Sequence, residues 1–168
     1  MFTPMIVSGL TVDPLTNSPI VILKEIEGER TLPIWIGLLE ATAIASELEG
    51  IKFSRPMTHD LLKSIMDLIE VRVNKIEVCD LKNNTYYAMI YLTHKGKEIS
   101  IDARPSDALA LSLRVDAPIF VSEAVIKKSA QIDLKSEPKD KTEQGKKWQD
   151  ILERLNPCLL YTSPSPRD

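Results

Sequence analysis

Residues 95–114 read KGKEISIDARPSDALALSLR, and this stretch decides the fold. It combines a Gly-containing turn and a strand in which apolar and polar residues alternate. An Arg-Pro pair then leads from this strand into a helix predicted from Ser106 to about Arg114. Three strands are predicted before that helix, at Val71–Val78, Tyr86–Leu92 and Glu98–Asp102. Residues 71–116 therefore predict a β-β-β-α unit.

The same order of elements occurs earlier in the chain, over residues 5–50. Strands are predicted at Met5–Val12, Ile20–Leu23 and Thr31–Ile36, and a helix at Glu40–Glu49 that ends at Gly50. Gly28 and Gly96 lie 68 residues apart, and Glu40 and Asp107 lie 67 apart. The sequence thus predicts an α+β fold in which two similar β-β-β-α units pack as one domain.

Further elements are predicted between and after the two units. Residues 58–70 predict a connecting helix with Thr58 as its N-cap and apolar residues at helical spacing. A short strand is expected at Pro118–Val121 and a short helix at Ser122–Ser129. The domain is expected to occupy residues 1–131.

The C-terminal part predicts a charged linker over 132–147 and a truncated helix over 148–157, with apolar residues on one side. Residues 158–168 read CLLYTSPSPRD and match one translated reading frame of a transposase-type sequencing adapter. We expect this segment to be an artefact and exclude it from the fold. Cys79 then stands alone, and no internal disulfide is expected.

Composition excludes several classes of protein. The chain has 168 residues, of which 43% are apolar and 27% charged, with a net charge of −3. These values exclude disordered, collagen-like and disulfide-dense chains, and the charge is unlike that of a strongly basic nucleic-acid binder. The sequence has no apolar run of about 20 residues and no recognisable signal peptide. We therefore expect no membrane contact and a cytoplasmic location.

Two polar segments each contain an Arg-Pro pair predicted to enter a helix: residues 55–60 (RPMTHD) and 102–107 (DARPSD). Asp102 and Asp107 are suited to sharing a divalent cation, and the arginines to binding phosphate. A structural interpretation is also open, and the spacing alone favours it: Ser106 caps a helix, Asp107 lies at its positive end, and the arginines form internal ion pairs with Glu40, Asp60 or Asp107.

His59 also has two interpretations. It is either a general base that titrates near neutral pH, or a first-turn side chain hydrogen-bonded to a carboxylate. No Ser-hydrolase, P-loop, dinucleotide or zinc signature is present.

Five segments together carry a family resemblance: LPIWIG at 32–37, EA at 40–41, LEG at 48–50, RPMTHDLL at 55–62 and DARPSDALAL at 102–111. In order and spacing they resemble the bifunctional nuclease family over about residues 3–130. The resemblance implies an α+β fold, DNase and RNase activity, and association as a homodimer or higher oligomer.

The resemblance also marks candidate site residues. Glu40, Asp60, Asp102 and Asp107 form the carboxylate set from which ligands for Mg²⁺ or Mn²⁺ are expected. His59 would orient or deprotonate water, Arg55 and Arg104 would stabilise charge on the phosphate, and Ser106 matches the motif at 102–111 in the second unit.

These considerations favour a metal-assisted nuclease that acts on DNA and RNA with little sequence preference. The alternative is a non-catalytic homo-oligomeric module that binds a small anionic ligand or a protein partner. A third possibility is a self-complementary dimer face anchored by Trp35.

Overall fold

A computed structural model of the chain describes residues 1–131. The predicted linker 132–147, the helix 148–157 and the adapter-like segment 158–168 lie outside the described residues. The strands are β1 Phe2–Val12, β2 Pro19–Glu25, β3 Thr31–Trp35, β4 Val71–Lys82, β5 Thr85–His94, β6 Lys97–Ala103 and β7 Ile119–Ser122. The helices are α1 Leu38–Leu48, α2 Thr58–Leu68, α3 Pro105–Val115 and α4 Glu123–Ala130.

The strands form a seven-stranded sheet with the order β3-β2-β1-β7-β4-β5-β6. Each unit contributes an antiparallel meander, β1-β2-β3 or β4-β5-β6, and a helix follows each. Strand β7 lies between the meanders, antiparallel to β1 and parallel to β4. Strands β1 and β4, the first strands of the two units, therefore run in opposite directions on either side of β7. The predicted α+β class and the duplicated β-β-β-α unit are confirmed.

The tight turns of the second unit follow from their residues. Asn83 and Asn84 have φ values of 49° and 59°, and Lys95 and Gly96 have 48° and 75°. Two successive positive φ values characterise the type I′ turns that suit the twist of hairpin strands, and Asn and Gly tolerate them best. Both turns lie where the sequence predicts them.

The four helices cover one face of the sheet. Val21, Leu32 and Val78 project from that face and share one hydrophobic core with Ile44 of α1 and Leu109 of α3. Burial of such side chains contributes about 1.5–3 kcal/mol each relative to exposure. The paired residues Glu77, Met89 and Asp102 alternate with this buried set and therefore face the opposite side.

The sheet is strongly curved, which brings its two halves together. Tyr86, at the start of β5, donates a hydrogen bond of 2.9 Å to the carbonyl oxygen of Pro33 in β3, and its hydroxyl lies 3.1 Å from Ser129 Oγ. Four strands lie between β3 and β5 in the sheet order. Curvature therefore places the end of β3 next to the start of α3.

The N-caps of two helices differ from the predictions. Met57 is the N-cap of α2, so Thr58 is its first residue and Pro56 lies outside the first turn. Arg104 is the N-cap of α3, with Pro105 in the first turn, so Ser106 does not cap this helix. The C-terminal prediction for α1 is confirmed, because Gly50 follows the C-cap with a φ of 65°.

The predicted apolar stripe of α2 is exposed. Its predicted stripe consists of Leu61, Leu62, Ile65, Leu68 and Ile69, which are between 41% and 83% exposed. Met66 is the buried residue of this helix. None of the helices within residues 1–131 is long and apolar enough to cross a membrane.

Candidate functional site

The two units bring one carboxylate each to a shared arginine. Glu40 is the third residue of α1 and Asp107 the third residue of α3, and these two helices pack together. Arg104 Nη1 donates to Glu40 Oε1 at 2.8 Å. Its Nε and Nη2 donate to Asp107 Oδ2 and Oδ1 at 2.8 and 3.2 Å. Arg104 thus bridges equivalent positions of the repeat.

His59 joins this cluster from α2. Its Nε2 lies 3.0 Å from Asp107 Oδ1, and the side chain is 13% exposed. An ionised carboxylate is only an acceptor, so Nε2 carries the proton of this hydrogen bond. In the neutral imidazole, Nδ1 is then the nitrogen with a free lone pair. The geometry agrees with the second sequence interpretation, a first-turn side chain hydrogen-bonded to a carboxylate, and the general-base role stays a prediction.

The cluster favours ionised side chains. Burial tends to raise the pKa of Asp107, but hydrogen bonds from Arg104 and His59 outweigh it, and the pKa is lowered overall. Hydrogen bonds to Asp107 and Glu40 raise the pKa of the Arg104 guanidinium. With neutral His59, two carboxylates and one guanidinium leave the cluster with one net negative charge.

Gly37 makes room for Glu40. A Cβ built on this N-cap residue of α1 would collide with the Glu40 carboxylate. The absence of a side chain therefore allows Glu40 to reach Arg104. The sequence marked Gly37 only as part of a motif, because this requirement depends on the position of the carboxylate.

A cleft of about 290 Å³ adjoins the cluster. Its polar wall comprises Glu40, His59, Arg104 and Asp107, and its apolar wall includes Leu39, Phe53 and Met57. Pockets that combine an apolar wall with a few convergent polar groups are typical of binding and catalytic sites.

Asp60 has a structural position. Its Oδ1 accepts a 2.7 Å hydrogen bond from Arg114 Nε, and its Oδ2 accepts one of 2.9 Å from the Met57 N–H. Burial tends to raise the pKa of Asp60, but the bonds from Met57 and Arg114 lower it overall. Both carboxylate oxygens are therefore engaged in holding the start of α2.

Sequence reasoning missed Arg114. Its side chain is 3% exposed, and Nη1 donates to the carbonyl oxygens of Ala43 and Ala110 at 2.9 and 2.8 Å. Arg114 thereby ties α1, α2 and α3 together. A basic residue in the last turn of a helix is usually a solvated charge near the dipole, so its sequence position carried no signal of burial.

The remaining predicted residues lie apart from the cluster or at its edge. Asp102 lies on the outer face of the sheet, opposite the helices. Arg55 is exposed before α2, and no ion pair of Arg55 occurs within residues 1–131. Ser106 is buried in the first turn of α3 and lines a second cleft. The structure therefore brings together Glu40, His59, Arg104 and Asp107.

The predicted metal ligands do not converge. Residues 1–131 contain no group of three or more His, Cys, Asp or Glu side chains arranged to hold a metal ion. Asp102 faces the other side of the sheet, Asp60 is bound to Arg114, and Arg104 occupies the space between Glu40 and Asp107. As arranged, these side chains do not fit a divalent cation, which requires several convergent oxygen ligands.

Comparisons with known proteins agree with the motifs. A family model described as "Bifunctional nuclease domain" matches residues 21–134. An uncharacterized protein of Mycobacterium tuberculosis is 34% identical over 156 residues, which are 90% of this chain and 93% of that protein. "Bifunctional nuclease 1" of Oryza sativa subsp. japonica is 26% identical over 116 residues, 67% of this chain and 35% of that protein. "Bifunctional nuclease 2" of Arabidopsis thaliana is 26% identical over 110 residues, 64% of this chain and 33% of that protein.

Proposed function

Because this chain belongs to the bifunctional nuclease domain family, we propose that it hydrolyses phosphodiester bonds in DNA and RNA with little sequence preference. The observation that carries the proposal is the Asp107–His59 pair beside Arg104 at the edge of a cleft. This arrangement supplies an oriented base and a cation that can meet a phosphate. The plant relatives are named bifunctional nucleases, which supports a nuclease-like function.

In the proposed reaction His59 is the general base. Asp107 fixes Nε2–H, so Nδ1 takes the proton of a water whose oxygen forms a bond to phosphorus. The phosphorus bond to the leaving oxygen breaks, and that oxygen takes a proton from solvent. Such proton transfer typically contributes about 10²–10⁴-fold in rate.

Arg104 is proposed to stabilise the charge that develops on the phosphate. Three of its hydrogen bonds are made to Asp107 and Glu40. A guanidinium has about five N–H donors, which leaves about two for phosphate oxygens. Asp107 would then position both the base and the cation.

No step of this proposal passes through a metal ion. Mg²⁺ or Mn²⁺, which the family resemblance implies, would require Arg104 to leave the space between Glu40 and Asp107. Initial rates with EDTA and with added Mg²⁺ or Mn²⁺ measure the metal dependence. A strict requirement for one of these ions would favour the carboxylate set that includes Asp102.

The test compares two aspartates of the same motif. Asp107→Asn is expected to reduce cleavage of a labelled single-stranded oligonucleotide at least about 100-fold, as is His59→Ala. Asp102→Asn and His94→Ala serve as matched controls and should cleave at the wild-type rate. All variants are purified identically, since contaminating nuclease would give equal rates throughout.

Two outcomes would contradict the proposed mechanism. Equal loss in Asp102→Asn and Asp107→Asn would show that the outer-face carboxylate takes part, which the His59 mechanism does not allow. Wild-type rates in Asp107→Asn and His59→Ala would show that this cluster does not cleave the substrate.

The exposed apolar face of α2 supports a second proposal, the homo-oligomeric module. Four large apolar side chains on this short helix and a fifth on its C-cap residue Ile69 form the kind of patch that marks protein interfaces. We propose that two copies of the chain associate through this face, with or without nuclease activity. Light scattering that gives the mass of a monomer at micromolar concentration would contradict it.

A further inference from the structure

A second cleft lies on the other side of Arg104. It has a volume of about 380 Å³, and its lining includes Trp35, Gly37, Glu40, Tyr86, Arg104 and Ser106. Glu40 and Arg104 also line the cleft that contains His59. The two clefts therefore share a wall, and a phosphate bound to Arg104 would have open space on both sides.

The floor of this second cleft is suited to an anion. Pro105 is in the first turn of α3, so this helix begins at the cleft, whereas the Glu40 carboxylate already lies beside Gly37, the N-cap of α1. First-turn N–H groups and the positive ends of helix dipoles favour negative charge.

Ser106 provides an independent polar group at the same place. It is 6% exposed, and its hydroxyl has no hydrogen-bond partner within residues 1–131. The hydroxyl is not among the fully buried unpaired atoms, so it contacts the solvent of the cleft that it lines. A nearly buried hydroxyl that lacks a partner is suited to donating to a phosphate oxygen.

Trp35 also lines this cleft. It ends the edge strand β3 and remains 38% exposed. Its indole Nε1 donates a 3.0 Å hydrogen bond to Asp13 Oδ2, which fixes the orientation of the ring. An exposed ring held by such a bond is prepared for stacking with little loss of side-chain entropy.

We propose that this second cleft binds one nucleotide unit of a single-stranded nucleic acid, with its base stacked on Trp35 and its phosphate at Ser106 and Arg104. The volume lies within the range of small-ligand sites. The inference rests on the proposed nuclease function for its substrate class. Binding itself requires no hydrolysis, because Trp35 and Ser106 are separate from His59.

The affinity test uses the full chain and a dye-labelled single-stranded hexanucleotide, with binding followed by fluorescence anisotropy. Trp35→Leu is expected to raise the dissociation constant about 5- to 150-fold, the range for loss of one stacked base. Trp35→Phe retains a ring and should remain close to wild type. Trp148→Leu is the matched control for the other tryptophan and should bind normally.

A second measurement separates the base from the phosphate. In Trp148→Phe, Trp35 is the one tryptophan of the chain, and adenosine monophosphate is expected to quench its fluorescence at concentrations where inorganic phosphate does not. Ser106→Ala should weaken this binding without removing the quench at saturation.

Several results would overturn the inference. These are equal competition by inorganic phosphate and the nucleotide, unchanged affinity in Trp35→Leu, or equally tight binding of a duplex whose bases are stacked internally. Specific binding without hydrolysis would contradict the nuclease proposal and support the subsite. Hydrolysis together with unchanged affinity in Trp35→Leu would support the nuclease proposal and contradict the nucleotide subsite.

Discussion

Replacement of Asp60 by alanine tests whether this residue is structural or catalytic. In the structure its carboxylate compensates the buried guanidinium of Arg114 and accepts a hydrogen bond from the Met57 N–H at the start of α2. Asp60→Ala removes both interactions and leaves Arg114 charged in the interior. We therefore expect a loss of stability.

The size of this stability loss depends on how deeply the side chains of Asp60 and Arg114 are buried. Removing one partner of a fully buried pair costs about 3–5 kcal/mol. Asp60 is 38% exposed, so water replaces part of its interaction, and about 1.5–3 kcal/mol remains. Loss of the hydrogen bond at the helix start adds about 0.5–2 kcal/mol. We expect Asp60→Ala to lower the free energy of unfolding by about 2–5 kcal/mol.

Urea denaturation followed by far-UV circular dichroism measures this loss. The matched control is Asp67→Ala on the same helix, where a 62% exposed side chain pairs with Lys63 at 2.7 Å. Its expected cost is at most about 0.5 kcal/mol. An Asp60→Ala protein as stable as the control would refute the structural assignment, most directly if its nuclease activity were also lost.

The pH dependence gives an independent check. The pKa of Asp60 is lowered from its usual 3.8 in the folded state. Its contribution is therefore present above about pH 4 and is lost as the pH falls through the folded-state pKa. The stability difference between wild type and Asp60→Asn should be constant near neutral pH and shrink below pH 4. A difference that grows with acidification would contradict this assignment.

Three further predictions concern the cluster and α2. Arg104→Lys should reduce kcat/KM at least about 10-fold, because an ammonium cannot bridge Asp107 and Glu40 while it also contacts phosphate; steady-state kinetics check this. The negative charge of Glu40 is expected to repel the phosphates of a nucleic acid. Gly37→Ala, which should displace the Glu40 carboxylate, and Glu40→Gln, which removes its charge, should therefore each lower the KM for nucleic acid several-fold. An increase in this KM would contradict the repulsion. Ile65→Glu on α2 should shift the mass measured by light scattering to the monomer, with wild-type circular dichroism.

The local sequence is enough to predict the two β-β-β-α units. Asn83-Asn84 and Lys95-Gly96 specify tight turns, and the similar helices begin near Glu40 and Asp107. These are short-range signals, which depend on backbone conformation and side-chain spacing. The motifs also identify Glu40, His59, Arg104 and Asp107 as candidates, together with Arg55, Asp60, Asp102 and Ser106.

The sequence cannot specify which of the candidates meet. Asp102 and Asp107 are five residues apart, yet strand alternation places one on the outer face and the other among the helices. Asp60 neighbours His59 in the chain but is bound to Arg114, 54 residues away.

The order of elements, the turns and the candidate residues were thus determined by the sequence itself, because turn, strand and helix preferences act over a few residues. The tertiary structure alone decided the site. Packing of α1 against α3 brings Glu40 to Arg104, and curvature of the sheet brings Trp35 to Ser106. Both depend on contacts between residues far apart in the chain, which no local pattern records.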